Sequence, residues 1–195
     1  MDMDGNRGDL WVFGYGSLMW RPGFAFEEQA LATVRGYHRS LCIYSHVHRG
    51  SPDRPGLVLG LDRGGTCRGV AFRIAAPLRA ATIAYLRERE QVTLVYREAS
   101  LPALLADGRR EKVLAYVVEP RHPQYAGRLP LAELVRFVRQ GIGISGRNAD
   151  YVRNTRDHLA ALGITDHTLA AIIRELDADH APAQASVADP AGLTA

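Results

Sequence analysis

The chain has 195 residues, 47% of them apolar and 23% charged, with a formal net charge of +3. A chain of this length buries about two-thirds or more of its unfolded surface as a single domain, and its composition argues against wholesale disorder. Its basic residues are almost all arginine, with Lys112 the single lysine, and they alternate with acids in "YLRERE" and "DHTLAAIIRELDAD". That interleaving speaks against a nucleic-acid partner, because a counterion-releasing surface needs a single-sign block. Cys42 and Cys67 form no C-x-x-C pair, which argues against a disulfide scaffold or a zinc ribbon and fits a reducing, cytoplasmic setting. No apolar run is long enough to span a membrane, and "MDMDGNRGD" lacks the basic flank and apolar core of a signal peptide, so no membrane partner is expected.

In chain order, "WVFGYGSLMW" (Trp11 to Trp20) opens as a strand and then places two glycines around a tyrosine, with a serine beside them. "SLCIYSH" reads as a strand, "HRGSPDRPG" as a loop, and "GLVLGLD" and "CRGVAFRI" as two strands joined by a hairpin turn at "RGGT". From Pro77 the period becomes helical to about Glu90, with Ile83, Leu86 and Glu90 on the inward stripe, supported by Leu78 and Thr82. Glu88 falls near the opposite side and Arg87 at the edge. "VTLVYREASLPALL" and "EKVLAYVVEP" read as strands around the turn "ADGRR". Three helices follow in "LPLAELVRFVRQG", "SGRNADYVRNTRDHLAALG" and "TDHTLAAIIRELDAD", the second with Tyr151, Thr155, His158, Leu159 and Leu162 on one face. The fold class expected is α+β, with a mostly antiparallel sheet closing toward a barrel and flanking helices. The domain runs from 10 to 176, and 1–9 and 177–195 read as mobile termini.

Two features can carry chemistry. Gly14 and Gly16 leave backbone N–H groups uncovered, which suits an anion nest or an oxyanion hole, although glycines in a lone G-x-G-S more often simply turn the chain. Glu90, on the apolar face of its helix, is either bent back to solvent or aimed inward, where desolvation makes it a base near neutrality. His46 and His48 share one strand face at tolerable ligand spacing, yet no third ligand repeats nearby, so no metal is expected. "DRGGT" lacks the G-K-[ST] of a phosphate loop.

The pair "FGYGSLMW" and "YLRERE" closely resembles the ChaC branch of the γ-glutamylcyclotransferases, and "RGYHRSLC", "RPGLVLGLDRGGTCRGVAFRI", "REQVTLVYR", "HPQYAG" and "GISGRNADYV" extend the likeness from about Leu10 to Leu176. The resemblance implies a cofactor-independent lyase that converts glutathione into 5-oxoproline and cysteinylglycine. It implies Glu90 as the proton acceptor and Gly14, Tyr15, Gly16, Ser17, Leu18 and Met19 as the loop that holds the γ-glutamyl group. Tyr96, Tyr125 and Arg39 are further candidates for the pocket, and Arg147 is a second candidate partner for a substrate carboxylate. The expected partner is this small molecule, and a monomer is favoured. Two alternatives stay open: a cyclotransferase for other γ-glutamyl amines or amino acids, and a non-catalytic cation-transport regulator. After Arg89-Glu90 the eukaryotic members carry a short glycine-containing stretch where this chain has "QVTLVYR", a difference that bears on the cysteinylglycine end.

Overall fold

The computed structural model describes residues 8–90 and 93–178. Five strands close into a barrel in the order β1-β3-β2-β4-β5: β1 (Leu10–Gly14), β2 (Glu28–Ser45), β3 (Gly56–Ile74), β4 (Tyr96–Leu105) and β5 (Arg110–Val118). All pairings are antiparallel except the closing one, where β1 meets β5 in parallel at Trp11↔Val113 and Val12↔Leu114. Both closing strands are apolar on both faces: all of β1 and Val113 to Val118 of β5 are buried. Such strands read as continuous apolar runs because neither face meets water. The expected α+β class with a barrel-closing sheet is what the chain adopts.

The "RGGT" segment does not make a hairpin. It lies inside β3, and both halves of that strand pair with β2, Thr66 with Arg35 and Arg63 with Tyr37. Gly36 on one strand faces Gly64 and Gly65 on the other, all three at positive φ (82°, 95° and 70°). One residue opposed by two is a β-bulge, and glycine supplies the backbone freedom that bends the long ribbon without ending its ladder. β2 also begins at Glu28, twelve residues before the strand read from "SLCIYSH".

A 3-10 turn (Ala76–Leu78) leads into α1 (Arg79–Glu90), which buries Thr82, Ile83 and Leu86. Leu78 does not join that stripe and is 42% exposed, because a 3-10 turn advances 120° per residue and rotates it off the α-helical face. After β5 come α2 (Leu131–Gln140), the short ladder of β6 (Ile142–Gly143) and β7 (Gly146–Arg147), α3 (Asn148–Ala161) and α4 (His167–Ala178). The buried stripes of the last three helices, including Val138, Val152, Leu159, Leu169 and Ile172, join the same core as Phe13, Phe72 and Leu114 of the barrel. α4 continues two residues into the segment expected to be mobile, and Asp177 there pairs with Arg153 at 2.6 Å. Asp9, in the other segment expected to be mobile, accepts from Arg73 Nη1 at 2.7 Å and from Ala76 N at 3.1 Å. The remaining terminal expectations, 1–7 and 179–195, lie outside the described residues.

Candidate active site

β1 delivers the chain to the barrel rim at Gly14. Its bare Cα is needed there, since a Cβ would stand 3.1 Å from Leu18 Cβ and 3.2 Å from Met19 N. The chain then folds into a 3-10 turn (Ser17–Met19), in which the N–H groups of Met19, Trp20 and Arg21 donate to Gly16 O and Ser17 O. The N–H groups of Gly16, Ser17 and Leu18 take no part in these turn bonds, and their residues line a cavity of about 580 Å³.

α1 ends at the same cavity. Glu90 projects from its last turn with its side chain 18% exposed, and Arg89 beside it acts as a clamp. The Arg89 guanidinium donates through Nη2 to Ser17 Oγ (3.0 Å), through Nη1 to Arg21 O (2.7 Å) and Tyr85 Oη (3.0 Å), and through Nε it pairs with Glu90 Oε1 (3.2 Å). One side chain therefore fixes the Glu90 carboxylate and the loop relative to each other. Burial drives the Glu90 pKa above the ordinary carboxylate value; Arg89 pulls the other way and only partly offsets it.

The far wall is the open edge of β3. Leu59 donates its N–H to Tyr151 Oη (3.2 Å) and accepts at its carbonyl from Tyr96 Oη (2.7 Å). Leu57 is served on both groups by Asn148, whose Oδ1 accepts and whose Nδ2 donates, each at 2.7 Å. Side chains of α3 and β4 thus do the work of a missing neighbouring strand. Tyr15, Tyr96 and Tyr151 are held protonated, first by burial and in part by the Glu90 charge. The carboxylate therefore sits among groups that donate hydrogen bonds without competing for a proton.

Of the sequence-predicted residues, Tyr15, Gly16, Ser17, Leu18, Tyr96 and Glu90 meet at this cavity. Gly14 and Met19 do not line it: Gly14 is committed to the β1–β3 ladder, and Met19 is 7% exposed in the core with its N–H spent on Gly16. Tyr125 is directed elsewhere, donating to Asp62 Oδ2 at 2.8 Å. Arg39 is a brace behind the loop, not a wall of the cavity; its Nε donates to Tyr15 O and its Nη2 to Arg68 O, both at 2.6 Å, and it faces Asp166 at 3.7 Å. Arg147 does not line the cavity; its backbone carbonyl accepts from Arg49 Nη1 at 3.3 Å.

Sequence reasoning missed Trp20 and Tyr116, Arg49, and Tyr151 and His158 as pocket residues. Trp20 and His158 stack across the cavity at 4.3 Å, a contact between the loop and α3 that no local pattern announces. Asn148 lies within the family-like stretch "GISGRNADYV" but was not singled out there; it is the first residue of α3 and its side chain serves the edge of β3. His46 stacks on Tyr44, and His48 Nδ1 lies 2.9 Å from Ser145 Oγ on an exposed turn, with no carboxylate bonded to its imidazole among the described residues. That leaves no Ser-His-acid relay in this cavity, and among the described residues no three His, Cys, Asp or Glu side chains gather at metal-binding spacing.

A glycine-bounded loop and an inward carboxylate at one cavity narrow the question to which family builds this pair. The family model for ChaC-like proteins matches residues 10–179. The chain belongs to the ChaC-like family. Among similar proteins, the glutathione-specific γ-glutamylcyclotransferase of Escherichia coli is 32% identical over 180 residues, covering 91% of this chain and 78% of its own length. The glutathione-specific γ-glutamylcyclotransferase 1 of Homo sapiens is 36% identical over 176 residues, covering 87% of this chain and 79% of its own. The crystal structure of a yeast γ-glutamyl cyclotransferase specific to glutathione superposes with a TM-score of 0.79 at 21% identity, covering 88% of this chain and 96% of that one, which shows a shared fold.

Proposed function

We propose that this protein is a γ-glutamylcyclotransferase whose substrate is glutathione, and that Glu90 is its acid-base group. The observation that carries the reading is the shared cavity: a carboxylate with a raised pKa, clamped by Arg89 to the loop whose N–H groups at Gly16, Ser17 and Leu18 are uncommitted among the described residues. Membership of a family whose curated relatives carry this activity supports it.

The substrate supplies its own nucleophile, so no enzyme-bound acyl intermediate is required. Glu90 takes a proton from the γ-glutamyl ammonium, whose pKa is about 8 or above. The freed amine attacks the γ-carbonyl carbon, forming the C–N bond of a five-membered ring, and the carbonyl oxygen gathers negative charge against the loop N–H groups. When that charge collapses, the bond from the carbonyl carbon to the cysteine nitrogen breaks and Glu90 returns its proton to the leaving nitrogen; the second proton of the ring nitrogen then passes by way of Glu90 to the released amine, which departs as an ammonium. The products are 5-oxoproline and cysteinylglycine, no water is consumed and Glu90 ends as it began. Holding the flexible γ-glutamyl chain folded is the other half of the task, and the loop and the tyrosine wall supply it.

A purely regulatory binder would have no use for a desolvated carboxylate, which opposes folding whenever it is ionised. The catalytic unit is proposed to span Leu10 to Leu176, to act as a monomer, since one chain walls the cavity, and to work in the cytoplasm. Both cysteines are buried and unpaired, which suits a reducing compartment, and burial pushes the Cys42 thiol up to about 12. No described helix is long and apolar enough to cross a membrane. Turnover of glutathione in heavy-oxygen water tests the reaction type. Cyclisation yields 5-oxoproline without the label, whereas labelled glutamate would reveal hydrolysis and overturn the reading.

A further inference from the structure

We infer that Arg49 binds the carboxylate at the glycine end of the substrate and so makes the site selective for γ-glutamyl peptides that end in a free acid at that reach. The inference rests on the cyclotransferase reading above and assigns the other end of the same cavity.

Arg49 lies in the loop after β2 and lines the cavity with Glu90. Its guanidinium is already oriented: Nη1 donates to Ser145 O and to Arg147 O (3.3 Å for the second), and the group lies 5.3 Å from the centroid of the Tyr151 ring. Those bonds use one nitrogen of a five-donor fork, and Nε and Nη2 have no hydrogen-bond partner among the described residues. No carboxylate pairs with Arg49 there either, in contrast to Arg73, Arg109, Arg136 and Arg153, each of which meets an acid within 3.2 Å. A half-buried guanidinium fixed in place with its donors open and no counter-charge is a carboxylate receptor in waiting.

The other cavity cations do not compete for the role. Arg89 is consumed by Glu90, Ser17, Tyr85 and the Arg21 carbonyl. Arg21 is exposed at the rim, without a fixed side-chain orientation from any hydrogen bond among the described residues. The cavity also has a direction. Tyr15 and Tyr116 are buried at the Glu90 end, while His48 and Ser145, beside Arg49, are exposed. The α-carboxylate hangs on the same carbon as the amine that Glu90 serves and must stay at the inner end. The leaving cysteinylglycine points outward, and its terminal carboxylate is the charge that remains for Arg49.

Steady-state kinetics with glutathione and with glutathione esterified at the glycine carboxyl test this, using the wild type, Arg49→Gln, Arg49→Lys and Arg21→Gln. The wild type is expected to favour the free acid by about tenfold or more in kcat/KM, mainly through KM, as befits a charge-assisted contact. Arg49→Gln is expected to fall by about that factor on glutathione and several-fold less on the ester, Arg49→Lys to regain part of the preference, and Arg21→Gln to keep it. Equal losses on both substrates would reduce Arg49 to a brace for the β6–β7 turn and overturn the inference. So would a wild type indifferent to esterification, or a preference erased by Arg21→Gln alone. If Arg49→Gln does not fold, the wild-type ratio and Arg49→Lys decide. A wild type that makes no 5-oxoproline from either substrate overturns the parent reading and this assignment with it, a result distinct from turnover without discrimination.

Discussion

Glu90 and Arg89 are adjacent in sequence and opposed in effect. Burial raises the Glu90 pKa, so ionised Glu90 opposes folding; that penalty is absent below the unfolded carboxylate pKa and grows as pH rises through the raised folded value. In the proposed mechanism activity follows the opposite sign, because only the ionised form accepts the proton. The acid limb of a kcat/KM–pH profile is therefore expected above the ordinary carboxylate value of 4.5. Arg89→Gln removes the neighbour that holds this pKa down and the donor to Ser17. It is expected to move the acid limb further up while lowering kcat/KM by about tenfold or more. A profile that keeps its limb while activity falls would leave Arg89 with the loop and no influence on the base. Glu90 was legible in the sequence because helical period alone places it on the inward face. Its partner's reach to Ser17 was not, because contacts across 72 positions leave no local pattern.

At the scale of elements, two side chains tie the site to its scaffold. Asn148 is fully buried and bonds both backbone groups of Leu57, joining the start of α3 to the open edge of β3. Asn148→Ala strands a buried N–H and a buried carbonyl and is expected to cost about 2–4 kcal/mol in urea unfolding. A loss below about 0.5 kcal/mol would mean that water replaces it without penalty. Arg39, whose side chain is 6% exposed, joins Tyr15 of the loop to Asp166, and Asp166 Oδ1 accepts from Leu169 N at the start of α4. Arg39→Ala leaves that acid without its cation and is expected to destabilise by about 3–5 kcal/mol. Arg39→Lys should recover only part, because a single ammonium cannot serve two carbonyls and a carboxylate in one plane. The four α-helices were readable from their apolar stripes. The "RGGT" bulge was not, because paired glycines at positive φ serve a turn and a bulge alike, and only a distant partner, β2, decides between them.

For the whole molecule, the barrel brings the two ends of the proposed functional pair to one cavity. β1 closes the barrel against both β3 and β5, which fixes the rim where the loop departs, and α1 returns to that rim with Glu90 at its last residue. The sequence carried the class of the fold and both residue groups that meet at the cavity, the Gly16–Leu18 loop and Glu90. It did not carry the rest of the cavity lining, since Tyr151, Arg49 and Trp20 come from three separate elements whose meeting depends on how α3 docks. The central claim is that Glu90, facing the loop across this cavity, performs the proton transfers. The most direct measurement is a mass-spectrometric time course of purified protein with millimolar glutathione, run beside Glu90→Gln with the fold of both checked by thermal unfolding. The account predicts equimolar 5-oxoproline and cysteinylglycine from the wild type and a loss of about 10²–10⁴ in rate from a folded variant. Near-normal turnover by folded Glu90→Gln would contradict it and remove Glu90 from the mechanism.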